Sequence, residues 1–192
     1  MLALPNVTLI AIGSEKYREA NQKAIDKSCE GITFGAVKNI VDDSCTSLDG
    51  YSRAMLFTLP KHVETDFALT VQQDGMVLRP HLWSDEFYSY DYIGAPWPPN
   101  MHFTNSGKEV RVGNGGFSFR SKRLLNAFNE YNLEYTDNGT GFFNEDGQIC
   151  CYYRDFLEEK GFMFAPPEVA ARFSTEITVP ETVESFGGHK YL

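Results

Sequence analysis

The chain has 192 residues, of which 42% are hydrophobic and 22% are charged, a composition typical of a globular protein with one sizeable core. We therefore expect a single domain over residues 1–192. The net charge of −9 argues against nucleic acid and an anionic membrane surface as partners, because the mean field of the protein would repel both. A phosphate ester could still bind beside a local cation, which could be a metal ion, an Arg or Lys side chain, or a helix amino terminus.

The cysteine content and the amino-terminal segment indicate the cellular compartment in which we expect the protein. The four cysteines do not have the spacing of metal ligands, and two of them are adjacent, which is a poor geometry for bridging each other. We expect reduced thiols in a cytoplasmic protein. The amino terminus has no basic segment, and no apolar stretch reaches about 18 residues, so we expect no secretion signal and no membrane span.

Strand-like and helix-like segments alternate in the first part of the chain. Apolar β-branched runs predict strands, and apolar residues at helical spacing predict helices. In chain order these are a strand at Val7–Ile12, a helix at Glu15–Ser28, a strand at Ile32–Val41, a helix at Tyr51–Val63, and strands at Phe67–Val71 and Met76–Leu78. This alternation predicts an α/β fold, Rossmann-like, with a mostly parallel mixed sheet and helices on both faces.

The second part of the chain is richer in aromatic residues and loops. We expect helices at Leu124–Tyr131 and Gln148–Lys160 and a late strand at Gly161–Ala165. Phe186-Gly187-Gly188-His189, near the end, could fold back over a site.

The strand at Phe67–Val71 stops at Gln72-Gln73-Asp74-Gly75. Ligands of α/β folds bind at the loops that follow the carboxyl ends of strands, and Asp74 is therefore a site candidate. The alternative is that Asp-Gly only makes a tight turn before the next strand.

Three glycines fall within four positions of Gly113-Asn114-Gly115-Gly116, just before a short strand and a helix. Glycines allow close approach of the backbone to a ligand, so this loop could present amide groups to a sugar or a phosphate. The spacing is neither a dinucleotide fingerprint nor a P-loop. A flexible hairpin is the alternative.

Glu145 and Asp146 directly precede a predicted helix. They could act as a general base and its orienting partner, or they could only complement the positive end of the helix. His189 is one of four histidines. A lone His is more often a structural or solvated residue than a metal ligand, although histidine is a common ligand.

Taken in order, these segments resemble a small, largely uncharacterised group of glycosyltransferase-like proteins. The resemblance extends from Val7 to His189, and it implies the GT-A fold of nucleotide-diphospho-sugar transferases. The matching segments are Gln72-Gln73-Asp74-Gly75, Trp83-Ser84-Asp85-Glu86-Phe87, Asp91-Tyr92-Ile93-Gly94-Ala95-Pro96-Trp97, Val112 to Ser121, Glu145-Asp146, Phe164-Ala165-Pro166, and Glu168 to Ser174.

The resemblance also implies a metal site. GT-A enzymes end a central strand with Asp-x-Asp, whose last Asp binds the divalent ion that bridges the donor diphosphate. Here Asp74 matches that last Asp, whereas Gln72 replaces the first and adds no charge. His189 lies where a carboxyl-terminal His completes the metal shell in many members of the fold. One carboxylate and one imidazole suit Mn²⁺ or Mg²⁺.

The remaining site residues follow from the same resemblance. Asp146, or Glu145 as the second candidate, would take a proton from the acceptor hydroxyl in an inverting reaction. The donor and its sugar would be bound by Gln72, Gln73, Asn114, Gly115, Gly116, Gly13, Ser14, Arg53 and Trp97. Trp83, Tyr92 and Trp97 could stack on the sugar or the base, although aromatic clusters also build cores.

The expected activity is thus transfer of a sugar from a nucleotide-diphosphate donor to a glycan or another hydroxyl acceptor. Two other functions remain open. A carbohydrate-binding module without turnover would keep the aromatic and glycine loops. A metal-dependent nucleotidyltransferase or phosphohydrolase would use the same Asp and metal, because fold does not fix function.

Overall fold

The computed structural model describes residues 1–136, 144–176 and 184–190. Its strands are β1 (Leu2–Gly13), β2 (Ile32–Val41), β3 (Phe67–Thr70), β4 (Gly75–Val77), β5 (Tyr92–Ile93), β6 (Ser118–Ser121), β7 (Ser174–Thr175) and β8 (Gly187–His189). Its α-helices are α1 (Arg18–Ser28), α2 (Leu48–Arg53), α3 (Lys122–Glu130), α4 (Glu145–Gly147), α5 (Arg154–Glu159) and α6 (Pro167–Phe173).

Short helical segments of other types extend several of these helices. A 3-10 turn at Glu15–Tyr17 precedes α1, π-helical segments at Ala54–Thr58 and Gln148–Tyr152 follow α2 and α4, and a 3-10 turn at Leu59–His62 completes the second helical region. Further 3-10 turns lie at Pro80–Leu82 and Asp85–Ser89. Within the described ranges, no helix is long and apolar enough to cross a membrane.

The larger sheet has five strands in the order β2-β1-β3-β6-β5. β1 pairs in parallel with both β2 and β3, because α1 and α2 supply the crossover connections that parallel strands need. β6 pairs antiparallel with β3, and β5 pairs antiparallel with β6 at the edge of the sheet. The predicted α/β class with a mixed sheet is confirmed.

Both faces of this sheet are covered by helices. Side chains alternate between the faces of a strand, so neighbouring residues of β1 enter different cores. Leu9 packs in one core together with Ile25 of α1. Ile10 packs in the other core with Met55 and Leu59 of the second helical region. The order of apolar residues along β1 therefore builds a three-layer arrangement.

The parallel pairing brings the ends of β1 and β3 to the same edge of the sheet. β1 ends at Gly13, and the chain turns sharply after β3. The backbone groups of Gln72 and Gly75 bond to each other at 3.2 and 3.0 Å, which places Gln73 and Asp74 at the tip of a two-residue turn. Asp-Gly does form a tight turn, and this turn lies at the edge where α/β folds bind ligands.

A second sheet, in the order β4-β8-β7, joins this turn to the late part of the chain. β8 is antiparallel to β4, with His189 opposite Gly75, and parallel to β7. The segment that ends at His189 therefore folds back against the turn that carries Asp74.

The predicted strand at Gly161–Ala165 is wrong. Among the described residues, this segment forms one isolated bridge, between Phe164 and Tyr92 of β5. β5 is only two residues long, and Pro166, which has no N–H to donate, follows at once. A longer ladder has neither a partner strand nor a donor to continue it.

Candidate active site

Two adjoining cavities open at the edge where β1 and β3 end. The first has a volume of about 300 Å³, and its lining includes Gly13, Tyr17, Asn21 and Gln73. The second has a volume of about 460 Å³, and its lining includes Trp97, Asn114, Asp146 and His189. Leu48, Tyr51 and Gln72 line both cavities and so form their common wall.

Asp74 and His189 meet beside the second cavity. The register of β4 and β8 brings Nε2 of His189 to 3.4 Å from Oδ1 of Asp74. The other ring nitrogen, Nδ1, lies 3.2 Å from Oε1 of Glu176. Because a carboxylate on one ring nitrogen fixes the orientation of the imidazole, Glu176 holds the Nε2 edge of His189 toward Asp74.

Glu176 is itself held in the ionised form. Burial acts to raise the pKa of Glu176, but hydrogen bonds from His189 and Lys190 outweigh it and keep the pKa at about 2. Nζ of Lys190 is 2.9 Å from Oε1 of Glu176. The carboxylate that orients His189 therefore stays charged across the ordinary pH range.

Few side chains near Asp74 and His189 could act as metal ligands. In the described part of the chain, no group of three or more His, Cys, Asp or Glu side chains could hold a metal ion. Neighbouring ligands of a Mg²⁺ ion are about 3 Å apart, since each lies near 2.1 Å from the ion. The separation of 3.4 Å between Asp74 and His189 fits two ligands of such an ion, and water or substrate oxygens would have to supply the rest.

Two glycines of the loop are required by their neighbours. A Cβ on Gly115 would lie 1.7 Å from Oε1 of Glu145, and a Cβ on Gly116 would lie 2.2 Å from Nε2 of His189. Gly113 is constrained in the same way, because a Cβ on it would lie 1.9 Å from the ring of Trp97. The glycine cluster is therefore the surface on which the site side chains pack.

The amide nitrogen of Asn114 has no hydrogen-bond partner in the described part of the chain and could bind a ligand. Its backbone is in the left-handed region, with φ 65°, which Asn tolerates better than most residues. Its Oδ1 accepts a hydrogen bond from the N–H of Gly116 at 3.1 Å. Its Nδ2 is buried and has no hydrogen-bond partner among the described residues. A buried donor left without a partner is costly, and a ligand hydroxyl would satisfy it.

Asp146 lies on the wall of the second cavity. Its carboxylate accepts hydrogen bonds from the backbone N–H groups of Gly115 at 3.2 Å and Gly147 at 2.8 Å. Burial raises the pKa of Asp146 above that of an ordinary aspartate, and these two N–H groups and Arg120 oppose the shift. A carboxylate with a raised pKa is better matched to taking a proton near neutral pH.

Glu145 differs from its neighbour in its surroundings. It is 3% exposed, and its Oε1 accepts a hydrogen bond from Nη2 of Arg120 at 3.0 Å. Burial raises the pKa of Glu145, the charge of Asp146 raises it further, and Arg120 lowers it. Since the carboxylate of Glu145 is engaged in an ion pair, Asp146 is the better placed of the two to act on a substrate.

The aromatic residues divide between the core and the cavity. Trp97 lines the second cavity, and its ring lies 4.0 Å from that of His102. Trp83 instead packs against Phe87 and Phe119 in the core, and Tyr92 is fully buried. Trp97 is the one of the three predicted stacking residues that the structure places at the cavity.

Two predicted nucleotide contacts, Arg53 and Ser14, do not line the two cavities of the described structure, and neither does the predicted metal ligand Asp74. Arg53 is exposed, with its Nε 3.1 Å from Asp49 and its guanidinium 4.5 Å from the centre of the Tyr135 ring. Ser14 is buried just after Gly13.

Sequence reasoning missed Tyr51, Arg120 and Glu176. The amide Nε2 of Gln72 donates a hydrogen bond to the hydroxyl of Tyr51, so the residue that replaces the first Asp of Asp-x-Asp belongs to the common wall of the cavities. Tyr51 lies two positions before Arg53, a predicted donor contact, which was the nearest available signal. Arg120 and Glu176 carried none, because their partners are distant in the sequence.

A protein-family model, described as a protein of unknown function (DUF5672), matches residues 36–189. The chain belongs to the DUF5672 family. No curated protein matches it in sequence.

One solved structure supports the assignment of the fold. It is the crystal structure of a glycosyltransferase involved in the glycosylation of the major capsid of PBCV-1, which superposes with a TM-score of 0.56 at 15% identity over 95% of this chain and 91% of that chain. A197 from STIV matches with a TM-score of 0.40 at 11% identity over 83% and 80% of the two chains, a similarity too low to establish a shared fold. This DUF5672 member therefore has a glycosyltransferase-like fold.

Proposed function

We propose that this protein is a glycosyltransferase that moves a sugar from a nucleotide-diphosphate donor to a hydroxyl acceptor, with a divalent metal ion and inversion of configuration. One observation carries the proposal. Asp146 and His189 come from separate parts of the chain and line the same cavity, and His189 faces Asp74 at 3.4 Å. The glycosyltransferase-like fold agrees with this function but does not by itself establish it.

The two cavities fit the two halves of a sugar nucleotide. The nucleoside would occupy the first cavity against Gly13 and Gln73, and the sugar would occupy the second cavity. The free Nδ2 of Asn114 would donate to a sugar hydroxyl. The ring of Trp97 offers an apolar face on which a sugar can lie.

Asp74 and His189 would hold the metal ion beside the second cavity, which His189 lines and Asp74 does not. A bound Mn²⁺ or Mg²⁺ would neutralise the diphosphate as it leaves. Two protein ligands are few, so the donor itself would complete the metal shell, as substrate phosphates commonly do for Mg²⁺. Metal and donor binding should therefore depend on each other.

Asp146 would take the proton from the acceptor hydroxyl. The N–H groups of Gly115 and Gly147 fix its carboxylate in place, and burial keeps its pKa above the ordinary range. Displacement of the diphosphate by this hydroxyl from the opposite side of the sugar would invert its configuration.

Thermal unfolding tests the donor site. Uridine and guanosine diphosphates should raise the unfolding midpoint of the wild-type protein more with Mn²⁺ than without it, because a ligand that binds only the native state stabilises that state. Asp74→Asn should remove the metal-dependent part of the shift and leave the unliganded midpoint nearly unchanged. Asp26→Asn, at an exposed position of α1, is the matched control and should retain the full shift.

Transfer is then measured with a panel of sugar nucleotides and simple glycosides. Formation of a new glycoside together with free nucleoside diphosphate supports the proposal. Binding of donors without any product would favour the carbohydrate-binding module, and release of nucleoside monophosphate would favour a phosphohydrolase. No metal-dependent stabilisation by any nucleoside diphosphate would overturn the proposed donor site.

A further inference from the structure

A buried ion pair lies at the second cavity, of which Glu145 is a lining residue. Arg120 of β6 is 0% exposed and Glu145 at the start of α4 is 3% exposed, with Nη2 and Oε1 3.0 Å apart. Removing two charges from water is costly, and apolar residues of similar volume often stabilise a core equally well or better. Stability alone therefore does not account for this pair.

Arg120 is linked to Asp146 by two routes. Its ion-pair partner is the residue directly before Asp146. In addition, Nε of Arg120 donates to Oγ of Ser118 at 2.9 Å. The hydroxyls of Ser118 and Thr70 lie 2.6 Å apart, and each is 3.3 Å from the carbonyl oxygen of Gly115, whose N–H binds Asp146. The guanidinium of Arg120 thus bonds both to the start of α4, through Glu145, and, through Ser118, to the loop whose Gly115 N–H binds the carboxylate of Asp146.

The charges of this pair act on Asp146 in opposite directions. Arg120 favours the ionised carboxylate, whereas the negative charge of Glu145 disfavours it, because the interaction between two carboxyl groups is mutual. The other titratable groups that interact with Asp146 are Tyr92, His102, Cys150, Cys151 and Glu176. None of these lies between Arg120 and Glu145, which bond directly to each other.

We propose that Arg120 is a positioning residue for Asp146: its ion pair with Glu145 fixes the turn that carries Asp146 and cancels the neighbouring negative charge, which leaves Asp146 as the group that accepts the proton. The inference rests on the glycosyl transfer proposed above.

The test compares the titration of Asp146 in four variants and the wild type. The ¹³C NMR signal of its carboxyl carbon is identified by its loss in Asp146→Asn, and the measurement needs no substrate. The variants are Glu145→Gln, Arg120→Gln, the double variant with both changes, and Arg120→Lys, which retains the charge.

Opposite shifts are expected from the two single variants. Glu145→Gln leaves the charge of Arg120 unbalanced and should move the titration midpoint of Asp146 down by about one pH unit. Arg120→Gln leaves the charge of Glu145 unbalanced and should move it up by about the same amount. The double variant should return it close to the wild-type value, and Arg120→Lys should change it little.

A purely structural role of the pair predicts a different pattern. It predicts lower unfolding midpoints in all variants without opposite shifts of the Asp146 titration. An unchanged midpoint in Glu145→Gln, or shifts of the same sign in the two single variants, would overturn the inference. If Arg120→Gln does not fold, Arg120→Lys and Glu145→Gln still test the inference. Of these two variants, only Glu145→Gln should shift the titration midpoint of Asp146.

Activity separates this inference from the proposed function. If the wild type transfers sugar, the acid limb of its rate profile should follow the Asp146 titration in every folded variant. If the wild type transfers no sugar from any donor, the proposed function fails, and the NMR titrations still show whether Arg120 and Glu145 set the state of Asp146.

Discussion

The replacement Gly116→Ala tests how closely the glycine loop holds His189, the proposed metal ligand. The added Cβ would lie 2.2 Å from Nε2 of His189, and 2.4 and 2.6 Å from two ring carbons. Ordinary van der Waals contact begins at 3.4 Å, so the ring must move by about 3.4 − 2.2 = 1.2 Å or tilt away. Either movement takes Nε2 out of its position facing Asp74.

A displacement of this size should be visible in metal binding. Changes in the groups that orient a metal ligand typically cost about 10- to 100-fold in metal affinity. We therefore expect Gly116→Ala to weaken the Mn²⁺-dependent binding of a nucleoside diphosphate by about that factor. The overpacked site should also lower stability by roughly 1–3 kcal/mol. Isothermal titration with and without Mn²⁺ measures the first effect, and urea unfolding measures the second.

Gly161→Ala is the matched control. Its added Cβ meets no atom within 4 Å, but its φ of 80° strains any residue other than glycine. It should therefore lose about 1–2 kcal/mol of stability and keep the full Mn²⁺ effect. If Gly116→Ala binds the metal and nucleotide as tightly as the wild type, His189 is not positioned by contact with this loop, and the reasoning is refuted.

Three further predictions concern the base and the core. Asp146→Asn should lower kcat by about 10²- to 10⁴-fold with little change in donor affinity, and a variant with normal turnover would move the base role elsewhere. Because burial raises the pKa of Asp146, its protonated, inactive form persists to higher pH, so kcat/KM should fall on acidification at a higher pH than an exposed aspartate would give. A profile flat to about pH 4 would contradict this. Leu69→Ala, at a fully buried position of β3, should cost roughly 2–5 kcal/mol in urea unfolding, whereas a loss near zero would contradict the assigned core.

Local sequence patterns were sufficient for the first half of the fold. The apolar run at Val7–Ile12, the helical spacing over Glu15–Ser28 and the run at Ile32–Val41 each match an observed element, because helices and strands here bury the faces that the patterns mark. The predicted helix over Tyr51–Val63 is more irregular, since it passes from an α-helix through a π-helical segment to a 3-10 turn near Pro60.

The site was less predictable than the fold. The sequence and the family resemblance named Asp74, Asp146 and His189, and the structure brings these residues to neighbouring positions. The partners that position two of them were not foreseen, because Glu176 and the buried Arg120 reach the site through tertiary packing that no local pattern records. Asp137–Phe143, which precede the acidic pair, lie outside the described residues. The extent of the domain and the roles of the site residues stay predictions.

The short strand β8 has a consequence for the order in which the protein assembles. His189 and Asp74 are 189 − 74 = 115 residues apart in the sequence, and the pairing of the three-residue strand β8 with β4 brings them together. Contacts of such long sequence separation form late in folding, and short peripheral strands open more readily than central ones. We expect amide hydrogens of β8 to exchange faster than those of β1. The contact between Asp74 and His189, the proposed metal ligands, would then break and re-form through local opening while the five-stranded sheet stays folded.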